Sequence, residues 1–191
     1  VAALLREHIL AVALEEFIRS GPAHASMERI AAAAKVSKRT LYTRFKSREG
    51  LLVAAARDAL ERNTRPIADG VPAGPTLEQV LHVTKRMLDI SLTDEIIGLE
   101  RLIEWATSEG LDLRAPLGRG RGTAIIEAIL AGSRHEPEDR PFVAAHLLDT
   151  LVTLPRLRIL RGEMANTASA KAEFYERTAA ILAQGIPALL E

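Results

Sequence analysis

Residues 37–45 read Ser37-Lys38-Arg39-Thr40-Leu41-Tyr42-Thr43-Arg44-Phe45, and their placement on a helical wheel decides how the chain is read. Leu41 and Phe45 fall on one face, one turn apart, ready to pack on neighbouring helices. Lys38 stacks with Tyr42 and Arg39 with Thr43 on an opposing polar face, while Ser37 stands where a helix N-cap is expected. That polar face carries donors of several kinds. Lysine and arginine neutralise phosphates or read guanine, threonine and tyrosine hydroxyls bond phosphate oxygens, and a threonine methyl meets the thymine methyl. Lys38 and Arg39 also break a local rule: cations in a first turn oppose the helix dipole by a few tenths to about 1 kcal/mol each. An anionic partner at that end would reverse the sign, whereas the plainer reading is a solvated turn.

Working outward, a first helix runs to about Ser20 with Leu5, Ile9, Ala13 and Phe17 at four-residue steps, and Gly21-Pro22 stops it. Ser26 caps a second helix whose face, Met27, Ile30, Ala31 and Ala34, is small enough for close helix approach. Val36 marks the turn into the third helix. Ser47 caps a fourth, with Glu49 in its first turn and Leu51, Leu52, Ala55 and Leu60 along it. Six cations and no acid lie between Lys35 and Arg48. Residues 1–50 hold nine cations against five acids, which leaves +4 there and, since the chain sums to zero, −4 in the rest. A local positive field of this kind suits a polyanion such as the DNA backbone.

The remaining sequence also reads as helix throughout, which predicts an all-α fold: an N-terminal three-helix helix-turn-helix head and a C-terminal helical body. The stretch Asn63–Pro75 collects Pro66, Gly70, Pro72, Gly74 and Pro75 and reads as the connection, so the predicted domains are 1–62 and 63–191. Later helices are expected at about 76–91, 93–108, 116–132, 138–162 and 167–184, with Pro187 opening a last turn. Pro155 should kink the fourth of these or leave a carbonyl free. The run Gly118-Arg119-Gly120-Arg121-Gly122 follows no strand and lacks the Lys-Ser/Thr ending of a phosphate loop, so it reads as a loose helix start or loop.

Composition narrows function further. The 191 residues include no cysteine, which removes disulfides, thiolate metal sites and cysteine nucleophiles. His8, His24, His82, His135 and His146 show no ligand spacing, and no metal or other cofactor is expected. No nucleophile-base-orienter set can be assembled, so the chain does not read as an enzyme. No apolar run approaches a membrane span and no signal peptide opens the chain, which points to a cytoplasmic protein without a membrane partner. Val1 in place of a methionine leads us to expect an N-terminal arm before it.

The string Ser26-Met27-Glu28-Arg29-Ile30-Ala31-Ala32-Ala33-Ala34-Lys35-Val36-Ser37-Lys38-Arg39-Thr40-Leu41-Tyr42-Thr43-Arg44-Phe45-Lys46-Ser47-Arg48-Glu49-Gly50-Leu51 resembles the DNA-binding head of the TetR (tetracycline-repressor-like) family, and Ile9, Leu10, Phe17 and Gly21 fit upstream. The resemblance covers about residues 5–55. It implies that Ser37, Lys38, Arg39, Thr40, Tyr42 and Thr43 face double-stranded operator DNA from the third helix. Ser26 and Arg29 would grip phosphates from the second, and Lys46 and Arg48 from the start of the fourth. Lys35 departs from the family, which often has glycine there; a left-handed backbone at Lys35 would cost roughly 1 kcal/mol.

For the body, the resemblance implies a homodimer and an effector pocket. Helix 138–162 carries apolar residues around more than one face and needs two partners. Ala168, Ala172, Tyr175, Ala179 and Leu182 give the final helix a stripe suited to close packing. Leu148, Leu151, Val152, Pro155, Ala172, Tyr175 and Ala179 are the predicted dimer interface. Met87, Arg101, Glu104, Trp105, Phe142 and His146 are the predicted contacts of an apolar or amphipathic small-molecule effector, with core packing the plain alternative for each. The expected protein is a ligand-released repressor on a palindromic operator; a ligand-independent regulator or an activator of the same fold is the alternative.

Overall fold

Among the residues that the computed structural model describes, 2–108, 110, 120–134 and 137–185, all regular structure is helical. The helices are α1 (Ala2–Ser20), α2 (Met27–Ala33), α3 (Lys38–Phe45), α4 (Arg48–Asp69), α5 (Thr76–Ser91), α6 (Asp94–Ser108), α7 (Arg121–Ala131), α8 (Arg140–Leu148), α9 (Leu154–Leu160) and α10 (Ala168–Gly185). A π-helical segment, Asp149–Thr153, joins α8 to α9. The all-α class is thus as the sequence predicts. No helix among the described residues is long and apolar enough to cross a membrane. Gly118 and Arg119 of the glycine-arginine run, His135 and Pro187 lie outside the described residues.

Packing divides the chain into two units: the described residues of Val1–Asn63 and Asp94–Arg119, and those of Thr64–Thr93 and Gly120–Glu191. A single cut after residue 62 therefore needs correcting, because α6 returns to the head. The reason is Gly98. Its missing Cβ would lie 2.9 Å from Ile18 Cγ2 on α1, so only glycine allows the two helices this approach. The first unit's core runs through Ile9, Leu10, Ala13, Leu14 and Phe17 of α1, Ile30 of α2, Leu41 of α3, Leu51 and Leu52 of α4 and Leu99 of α6, all buried. Leu5, the expected start of that stripe, is only half-buried.

The connection is shorter than the sequence suggests, since α4 continues through Pro66 to Asp69. A proline inside a helix costs about 3 kcal/mol through its lost hydrogen bond and its ring clash. Ile67, 2 % exposed, packs with Val80, Val83 and Leu130 in the second unit, and this burial offsets the defect. Around Ile67 the second unit assembles Met87 and Leu88 of α5, Ile126 and Ile129 of α7, Ala144 and Leu147 of α8, and Tyr175 and Leu182 of α10.

Pro155 offers no N–H to the carbonyl four residues back, Leu151. The Leu154 amide reaches past it to Asp149 in the π pattern, and the Tyr175 hydroxyl donates to the Leu151 oxygen at 2.7 Å. The freed carbonyl is therefore satisfied within the chain by a side chain of α10. Burial pushes the Tyr175 phenol up, keeping it a donor.

The same packing accounts for most of the seven residues of the predicted dimer interface. Leu151, Val152, Pro155, Tyr175 and Ala179 are buried within their own chain, and Leu148 covers Gly122, so only Ala172 of the seven is exposed. The exposed apolar residues lie on another face of these helices: Leu154, Leu157 and Leu160 on α9, and Ile181 on α10. Tyr175→Phe should lower stability by about 1–3 kcal/mol, the price of leaving the Leu151 carbonyl buried and unpaired. Urea unfolding measures it, and an unchanged midpoint would contradict the assignment.

Candidate nucleic-acid interface

Helix α3 is fixed at both ends by its backbone. At the end of α2, the Val36 amide donates to the Ala31 carbonyl (2.9 Å) and the Lys35 amide to the Ala32 carbonyl (3.2 Å), the crossed pair of a Schellman cap. That motif needs a left-handed residue at its corner, and Lys35 takes it with φ of 55°. The strain expected of a non-glycine residue there is present. Ser37 then caps α3, its Oγ accepting from the Thr40 amide at 3.0 Å.

At the far end Lys46 adopts φ 68°, ψ −47°, and the Ser47 amide donates to the Phe45 carbonyl at 2.8 Å, closing a γ-turn around it. Ser47 Oγ accepts from the Gly50 amide at 2.9 Å. A Cβ on Gly50 would stand 2.3 Å from the Phe45 carbonyl oxygen, so this tight corner requires glycine. With Leu41 fully buried and Phe45 nearly so, α3 is turned with Lys38, Arg39, Tyr42 and Thr43 outward. Ser37 and Lys46 are exposed beside them and Thr40 is half-buried. Arg39 forms no ion pair among the described residues.

A buried carboxylate organises the helix next to it. Glu16 of α1, 4 % exposed, accepts from Arg29 Nε at 2.7 Å, from Ser20 Oγ at 3.1 Å and from the Ser26 amide at 3.4 Å, and pairs with Arg19. Burial alone would push this carboxyl up, but the hydrogen bonds from Arg29, Arg19, Ser20 and Ser26 outweigh it and hold it at about 2. Arg29 also donates to the His24 carbonyl at 3.0 Å. The structure thus places Arg29 in a clamp between α1 and α2, with its side chain 54 % exposed. Ser26 caps α2 by accepting from the Arg29 amide at 3.3 Å. Arg48, half-buried at the start of α4, donates to the Ala23 carbonyl at 3.1 Å and so ties α4 to the α1–α2 turn. The clamp escaped the sequence reading, although Glu16 stands three and four residues before Arg19 and Ser20, within reach on one helix face.

Against this geometry, the family model described as "Bacterial regulatory proteins, tetR family" matches residues 9–55. Residues 9–55 are thus similar to the tetR family over this head segment. Solved structures agree on the fold. A Mesorhizobium loti protein described as a TetR-family transcriptional regulator superposes with a TM-score of 0.76 at 22 % identity, covering 93 % of each chain. A TetR-like regulator from Rhodococcus sp. RHA1 gives 0.65 at 22 %, covering 96 % of this chain and 98 % of that one. A protein described through the control of antibiotic production by bacterial hormones gives 0.65 at 19 %, covering 92 % and 94 %. At these identities the likeness establishes the fold. No curated protein matches the sequence.

The matched segment carries all ten predicted DNA contacts on α2, α3, the turns beside them and the start of α4. The six effector residues are divided. Arg101 and Trp105 line a cavity of about 270 Å³ with Ile18, Pro22, His24 and Leu102, all in the first unit, and Glu104 is exposed. Met87 is buried in the second unit's core, while Phe142 and His146 stack in the open with ring centroids 6.4 Å apart.

The Glu16 clamp has a pH signature. Its folded carboxyl sits at about 2 against an ordinary 4.5, so its contribution to stability is complete above 4.5 and is lost as pH falls towards 2. Glu16→Gln should therefore be less stable than the parent at neutral pH, with the difference shrinking across that window. Urea midpoints measured against pH test this, and a pH-independent difference would contradict it.

Proposed function

We propose that this chain is a tetR-family regulator, a cytoplasmic repressor that binds a palindromic operator as a homodimer and is released by a small apolar or amphipathic effector. The observation that carries the DNA reading is the outward polar face of α3, held in one orientation by Leu41, Phe45 and two strained corners. Lys38, Arg39, Thr40, Tyr42 and Thr43 read the major groove, with Ser37 at the helix start. Ser26, Lys46 and Arg48 hold the flanking phosphates, and Arg29 contributes chiefly by fixing α2 through Glu16.

For the dimer, the support is the apolar stripe left uncovered on α9 and α10, where Leu154, Leu157 and Leu160 recur every three residues and Ile181 is 72 % exposed. For the effector, we favour the cavity beside Trp105. Its size suits a small ligand, and it mixes the indole face with Arg101 and His24. Pro22, Ala23 and His24 of the α1–α2 turn form one wall, and Arg48 is anchored on the Ala23 carbonyl. A ligand there would shift that turn and the Arg48 contact together. By linkage, DNA and effector then weaken each other equally, by roughly 1–3 kcal/mol. The description of a similarly folded protein through control by bacterial hormones is in keeping with such a response.

Selection from a random duplex pool tests the reading. The parent should recover an inverted repeat with half-sites about one helical turn or a little more apart. Arg39→Ala should lose preference at defined base positions, and Leu157→Glu should recover single half-sites or nothing. An enriched pool without sequence preference would contradict the proposal.

A further inference from the structure

Glu28 stands in the first turn of α2, beside the reading helix, and both of its carboxylate oxygens are engaged. Oε1 pairs with the Lys38 ammonium across ten residues, and Oε2 accepts from Ser26 Oγ at 3.0 Å. Lys38 and Ser26 are two of the donors assigned above to DNA. The pair is open to solvent, with side chains 64 % and 48 % exposed, so a competing anion has access to it. The Lys38 hydrogen bond chiefly holds the carboxylate at about 2, below its ordinary 4.5. Around the same face, Arg39 lacks any such acidic partner among the described residues.

We propose that Glu28 is a specificity-determining residue that occupies the Lys38 ammonium and the Ser26 hydroxyl in the free protein, so that only a duplex able to replace both contacts captures them. Glu28 is an internal competitor for DNA phosphate. On a non-matching duplex the exchange gives no gain, since one charge-assisted contact is traded for another and a fixed anion remains beside the phosphates. On the matching duplex Lys38 is drawn to a base edge or phosphate by the full set of α3 contacts, and the loss of an exposed ion pair is small against that. The acid thus weakens non-specific binding more than specific binding, which widens the ratio between them.

The inference rests on the DNA reading of the head, and its test separates the two. Binding of the full chain to a non-specific duplex is measured against salt for the parent, Glu28→Gln, Lys38→Met and the double variant. Glu28→Gln should tighten non-specific binding about two- to fivefold, the range for freeing one exposed pair, and should steepen the salt dependence by about 0.9 in log–log slope. In the Lys38→Met background the same change should do little. Equal tightening in both backgrounds, or none in either, would overturn the role of Glu28 while leaving the DNA reading intact. A parent that binds no duplex at low salt would overturn both.

Discussion

The head depends on one buried carboxylate. Glu16 gathers Arg19 and Ser20 of its own helix together with Arg29 and the backbone amide of Ser26, and the last two contacts join α1 to α2 and its cap. A buried charge is tolerated only when paired and hydrogen-bonded, and removing the partners of such a group is far more damaging than removing an exposed pair. Arg29 is the converse case. Its guanidinium, although 54 % exposed, bonds Glu16 and the His24 carbonyl and so fixes the placement of Ser26 and α2.

Beyond the clamp, α3 is oriented by two backbone corners that disfavour their own residues. Lys35 is left-handed and Lys46 sits at the centre of a γ-turn, while Gly50 permits the approach of α4 to the Phe45 carbonyl. Lysine at both strained corners carries a cost that glycine would reduce, and both lysines border the surface read as DNA-facing. The second unit resolves its own strain internally. Pro155 interrupts the ladder, a π turn absorbs the register change, and Tyr175 supplies the missing donor from another helix.

Local patterns in the sequence were sufficient for the parts that local chemistry controls. Ser26 and Ser37 are the caps that the structure uses, and Leu41 with Phe45 face the core. Parts decided by contacts between distant residues were not legible. Helical periodicity identifies apolar faces on residues 140–160 but not which one the chain buries for itself: Leu151 and Val152 turn inward, Leu154 and Leu157 outward. Pro66 reads as a break because proline propensity is local, whereas the burial of Ile67 that carries α4 onward depends on α5 and α7. The Glu28–Lys38 pair and the Glu16–Arg29 clamp span ten and thirteen residues between helices, separations that no wheel displays.

The central claim is that the outward face of α3, with the corners beside it, is where a duplex binds. Amide hydrogen exchange with and without saturating duplex tests it most directly. The account predicts added protection across residues 37–48 and at the start of α2 when DNA is bound. Saturation by duplex with exchange unchanged over 37–48 would contradict it.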